Sequence, residues 1–182
     1  IARDLFTFSN ALGQESNVSS GDLGALAGKL AEQGPQKNTL PVYTIKNIAT
    51  VKTTAKTLEV YRTQLLSVLS TYDGSLPEIE LLVSSLENGD FSQLEALDKT
   101  IAFYRAFSKK LAAIKTPVGV AEYHLQIVNS IAGEGRAFQK IQSAQDNGIN
   151  ALVGLAEYRD FDAQLTQATQ KLTTYLQQYG IL

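Results

Sequence analysis

The 182-residue chain is long enough for one domain with a sizeable core. Its net charge of −2, with no basic patch along the chain, argues against nucleic acid or an anionic membrane surface as a partner. Cysteine is absent, which excludes disulfides, thiol nucleophiles and sulfur metal sites.

Methionine and tryptophan are absent too, and charged residues make up 19% where a soluble domain carries roughly 25%. Ser, Thr, Asn and Gln take their place. Low charge without oxidisable sulfur suits an exported bacterial protein. The chain opens on Ile1 rather than Met, so it reads as processed or trimmed. A signal peptide or membrane anchor is then expected upstream of Ile1. No apolar run within the chain approaches the roughly 18 residues of a membrane helix.

Residues 1–20 read as an arm or tether. Leu5, Phe6 and Phe8 are apolar, and the polar, turn-rich stretch behind them suits a spacer. Residues 21–182 are expected to form a single helical-bundle domain. A short helix is predicted over 21–33, with Ser20 as cap and Gly34-Pro35 as stop. Gln36 to Lys52 is expected to be extended. Val42 to Ile45 alternates in a β-favouring way but has no evident partner strand, so it reads as an arm along the bundle.

Thr53 or Thr54 caps a predicted helix over 54–72, with Leu58, Tyr61, Leu65, Val68 or Leu69, and Tyr72 at helical spacing. Ser75-Leu76-Pro77-Glu78 resembles a capping box and starts a short helix over 77–87. Asp90 then caps a helix over 91–115. Its stripe is Phe91, Leu94, Leu97, Ile101, Tyr104, Phe107 or Ser108, Leu111 and Ile114.

Thr116-Pro117 breaks that helix and opens a central one over 117–145. Val118, Ala121, Leu125, Val128 and Ala132 fall on one line, and Ile127, Ile131, Phe138 and Ile141 on its neighbour. So wide an apolar arc calls for helices on more than one side. Gly119, Ser130, Gly133 and Gly135 would let them approach closely. Gly148 is expected to cap the following turn in a left-handed conformation. The last helix, over 149–178, carries Leu152, Leu155, Tyr158, Phe161, Leu165, Ala168, Leu172, and Tyr175 or Leu176. The pattern predicts an all-α, up-and-down antiparallel bundle of four longer helices, two short ones and an extended N-terminal arm.

Catalytic signals are sparse. His124 is the one histidine, and a ferritin-like di-metal site needs two Glu-x-x-His pairs. No nucleophile elbow and no glycine-rich nucleotide loop occurs. Glu78 and Glu80, like Asp160 and Asp162, stand two residues apart and do not share a helix face. His124 therefore reads as structural or surface, and no catalytic, cofactor or metal residue is assigned. The eight tyrosines suit either core-edge packing or an interface.

Tyr43-Thr44-Ile45-Lys46-Asn47-Ile48 precedes a helix bearing Tyr61, and His124-Leu125-Gln126-Ile127-Val128-Asn129-Ser130 follows Thr116-Pro117. With these segments the chain resembles functionally uncharacterised helical proteins of candidate-phylum bacteria with small genomes. The resemblance covers about Tyr43 to the C-terminus and carries no catalytic motif. In that group the domain follows a membrane segment and sometimes accompanies pilus or secretion genes. The resemblance implies an extracytoplasmic, membrane-anchored or cell-surface placement. The expected function is a non-enzymatic structural or protein-interaction domain, without cofactor, with protein partners and without nucleic acid. The alternative is a bundle that binds a small ligand or a metal.

Overall fold

The computed structural model describes residues 42–71, 92–143 and 148–181. The expected tether over 1–20, the short helices over 21–33 and 77–87, the Asp90 cap, and Tyr72 and Phe91 lie outside them. Within the described residues the chain is an all-α bundle. Its helices are α1 (Ala55–Leu69), α2 (Leu97–Ala112), α3 (Ala121–Gln142) and α4 (Gly148–Gln178). Two strands, β1 (Thr50–Val51) and β2 (Thr116–Pro117), pair in parallel, with Thr50 opposite Thr116 and Val51 opposite Pro117.

Thr54, not Thr53, caps α1. Its hydroxyl accepts from the Thr57 amide at 3.1 Å, and the Thr57 hydroxyl accepts from the Thr54 amide at 2.9 Å. This reciprocal box satisfies two amides at the helix start. The Thr53 hydroxyl instead accepts from the Gly119 amide at 2.8 Å. Along α1 the predicted stripe is buried at Leu58, Tyr61 and Leu65, half-buried at Val68 and exposed at Leu69.

Four expectations need correction. The helix expected over 91–115 is α-helical over Leu97–Ala112, with a 3-10 helix over Ser92–Ala96 ahead of it. The stretch before α1 is not wholly extended: Ile45–Asn47 forms a 3-10 turn, and Thr50–Val51 pairs with β2. A two-residue strand is too short to leave an alternating pattern. The central helix starts at Ala121, not at residue 117. Pro117, with ψ at 136°, belongs to β2, and a 3-10 turn over Val118–Val120 intervenes. Val118 is thereby carried out of the stripe assigned to it and is 62% exposed. Gly148 is the first residue of α4 rather than a left-handed cap. Among the described residues the glycine with positive φ is Gly180, at 65°. There the Ile181 amide donates to the Leu176 carbonyl and closes α4.

The residues group into two compact units. The first holds 92–101, 136–143 and 148–159 of the described residues. Leu94, Leu97, Ile101, Phe138, Ile141, Leu152 and Leu155 form its core. A Cβ on Gly154 would sit 2.7 Å from the Ala137 carbonyl oxygen, so α4 touches the α3 backbone there. Asn150 reaches Ser143 and Tyr158 packs on Phe138, so rising numbers on α4 meet falling numbers around α3. Lys140 pairs with the buried Glu157 at 2.5 Å.

The second unit holds 42–71, 102–135 and 160–181 of the described residues. Tyr61, Tyr104, Phe107, Leu111, Val128, Ile131, Phe161 and Leu172 are among its buried residues. A Cβ on Gly133 would meet the Phe161 ring of α4 at 2.5 Å, and one on Gly135 the Tyr104 Cβ of α2 at 2.9 Å. These glycines let α3 take a helix on two sides, as its wide apolar arc requires. Here too α3 and α4 run antiparallel, with Phe161 at Gly133 and Tyr175 at Tyr123.

Candidate functional site

Three constellations on α3 and its neighbours, all in the second unit, could carry chemistry. The first surrounds His124. Its position next to Leu125 places it off the apolar line, yet His124 is 0% exposed while Leu125 is only half-buried. Its Nδ1 lies 3.1 Å from the Tyr61 hydroxyl and its Nε2 3.1 Å from the Leu111 carbonyl. A carbonyl only accepts, so Nε2 carries the hydrogen and Nδ1 accepts from Tyr61. The rings meet edge-on, 5.5 Å between centroids. Burial pulls the imidazole down to about 4, partly offset by the Leu111 carbonyl. Burial also pushes the Tyr61 phenol above its ordinary range.

This neutral imidazole has both nitrogens occupied and no surface open to a substrate. It links α1, α2 and α3, and it is structural. A general base needs reach to a reacting group as well as a suitable pKa. His124 has neither.

The second constellation is Glu134, between Gly133 and Gly135 and 3% exposed. Burial, followed by repulsion from Asp162, pushes its carboxyl up to about 8, against a hydrogen bond from Tyr104 that lowers it. At neutral pH it is largely protonated. The acidic pairs close in sequence do not supply this couple. It needs α3 and α4 in antiparallel register, across 28 positions. Substrate cannot reach Glu134 as it stands. Among the described residues no group of three or more His, Cys, Asp or Glu could hold a metal ion.

The third constellation is on the surface. Tyr175 stacks on Tyr179, with centroids 5.0 Å apart and planes at 28°, and Tyr123 stands 6.3 Å from Tyr175. Tyr123 and Tyr175 are half-buried, and Tyr179 is 49% exposed. The hydrogen bond to Tyr179 raises the Tyr175 phenol above its ordinary value, with burial and the neighbouring phenols adding to the effect. A Cβ on Gly119 would sit 2.1 Å from the Tyr175 hydroxyl oxygen, so glycine is what lets the 3-10 turn lie against this ring. The exposed Val118 stands beside Gly119 in that turn.

The tyrosines thus divide. Tyr61 and Tyr104 are core, and Tyr43 is tied to α3 through its backbone, with the Asn129 side chain bonding its amide and carbonyl at 2.9 Å each. Tyr123, Tyr175 and Tyr179 gather at the surface. Tyr175, in the last turn of α4, and Tyr179, just past its end, stand four apart, the spacing that brings side chains together on a helix, and that much is readable from sequence. Tyr123 joins them only through tertiary packing.

No protein-family model matches the chain, and no curated protein or solved structure is detectably similar to it.

Proposed function

We propose that this chain is a non-enzymatic structural or protein-interaction domain, placed outside the cytoplasm at a cell surface or membrane and serving a surface, pilus or secretion assembly. The observation that carries the reading is the surface cluster of Tyr123, Tyr175 and Tyr179 beside the exposed Val118. Aromatic rings with a polar end are enriched where proteins meet, because they bury area at little entropic cost while keeping a hydrogen-bonding group. The buried His124 and Glu134, by contrast, face helices rather than solvent. The composition supports export: cysteine and methionine are absent, and charge is sparse.

A photo-crosslinking residue at Val118, in the native host, tests this. The expected result is an adduct of discrete mass at position 118 and none from the exposed Gln167 of α4. The absence of any adduct, together with a metal or small molecule bound stoichiometrically to the purified protein, would instead favour a ligand-binding bundle.

A further inference from the structure

A groove of about 570 Å³ runs between α1 and the end of α2, open to solvent and within the second unit. Its floor includes Val68 and Ile114, and its rims include Gln64 and Ser67 on one side and Lys110 and Lys115 on the other. Both ionisable groups that line it are cations. Neither lysine has an ion-pair partner among the described residues, and both are exposed. Glu59, the one carboxylate of α1, stands a turn before the lining stretch and is not among the lining groups. Val60, 51% exposed, lies one turn before Gln64 on the same flank and extends the apolar edge.

We propose that this groove is a docking site for a short acidic peptide segment of a partner protein. Charge complementarity selects the occupant. Carboxylates of the segment would lie against Lys110 and Lys115, an apolar side chain would rest on Val68 and Ile114, and the Gln64 amide can both donate to and accept from a peptide backbone. The size falls within the range of small-ligand clefts, enough for a few residues. A nucleic acid fits less well. It needs a continuous basic track, whereas this chain has a net charge of −2, and an apolar floor offers nothing to phosphates. The proposal rests on the interaction reading only in that a partner protein carries the segment, and it uses a different surface from the tyrosine cluster.

The test uses the full chain and a fluorescent peptide alternating glutamate and leucine, with lysine–leucine and glutamine–leucine peptides and a single-stranded oligonucleotide as comparisons. The acidic peptide is expected to bind. Its affinity should fall about tenfold or more in the double variant Lys110→Glu, Lys115→Glu, and also on raising ionic strength from about 0.05 to about 0.5 M. The Tyr179→Ala variant should bind it like the wild type, which separates a failure of the groove from a failure of the tyrosine surface. Equal binding by the double variant, no binding of the acidic peptide, or tighter binding of the glutamine peptide or oligonucleotide would each overturn the proposal. The lysines are solvent-facing, so an unchanged melting temperature of the double variant confirms that a loss of binding is local.

Discussion

His124 and Glu134 sit on the same helix, both nearly inaccessible, and the protein treats them in opposite ways. Around His124 three helices converge, and each polar atom has a partner: Tyr61 donates to Nδ1, and Nε2 donates to the Leu111 carbonyl. Around Glu134 two glycines draw α2 and α4 in close, and the carboxyl meets repulsion from Asp162 with one hydrogen bond from Tyr104. Burial acts on both groups, and it favours the neutral form in each. For the imidazole, neutrality is the ordinary state at pH 7. For the carboxyl, it takes a proton from solution. A buried titratable group is therefore not by itself a sign of chemistry: one of these is a satisfied core hydrogen-bond relay, the other a carboxyl whose charge the fold disfavours.

The largest effect is expected from breaking the satisfied side. His124→Ala removes a fully buried ring and leaves the Tyr61 hydroxyl unpaired, while the Leu111 carbonyl keeps the Ile114 amide at 3.0 Å. A cavity and one orphaned polar group together should cost about 3–5 kcal/mol. Chemical denaturation would report this as a lower midpoint. A loss under about 1 kcal/mol would show that the relay contributes little to holding the three helices.

A smaller loss is expected from the close-packed side. Gly133→Ala places a methyl group 2.5 Å from the Phe161 ring. Overpacking of this kind costs about 1–3 kcal/mol, and a gain in helix propensity of about 1 kcal/mol offsets part of it. The melting temperature should drop by a few degrees, since about 1 kcal/mol moves a domain of this size by roughly 2–4 °C. An unchanged or raised melting temperature would mean that α4 yields at no cost.

The pH dependence sharpens the contrast further. The Glu134 carboxyl is raised from 4.5 to about 8, so the native state holds a proton that the unfolded chain releases. Its contribution is fully present below pH 4.5 and is lost as pH rises through 8. The His124 imidazole is lowered from 6.5 to about 4. Its contribution is present above pH 6.5 and is lost as pH falls through 4. From these two groups, stability should fall from pH 6.5 to 8 by about 1.4 kcal/mol per unit, stay level between 4.5 and 6.5 where they cancel, and fall again below 4.5. Glu134→Gln should abolish the alkaline decline and extend the acidic one up to pH 6.5. Melting curves from pH 4 to 8.5 check both, and an alkaline decline that persists in the variant would assign it to another group.

What the sequence carried, and what it did not, follows the same division. The helical stripe from Leu94 through Leu97, Ile101, Tyr104, Phe107, Leu111 to Ile114 is buried throughout, because amphipathic spacing is a local property. A threonine cap at 53 or 54 and the approach of neighbours at Gly133 and Gly135 were legible for the same reason, whereas the choice of Thr54 and its reciprocal bond with Thr57 came only from the structure. The Tyr61–His124 bond spans 63 positions and the Glu134–Asp162 repulsion 28, and neither leaves a local pattern. Each depends on the register between helices, which packing sets. The late start of α3 was hidden because Pro117 suits the first turn of a helix as well as the short strand it occupies.

The most direct test of the claim that the one imidazole is locked into the core is nitrogen-15 NMR of His124 across pH. The predicted result is the neutral form with its hydrogen on Nε2, a slowly exchanging Nε2–H signal, and no titration until pH falls to about 4. An imidazole that titrates near its ordinary value of 6.5, or carries its hydrogen on Nδ1, would contradict the relay and return His124 to the groups able to act on a ligand.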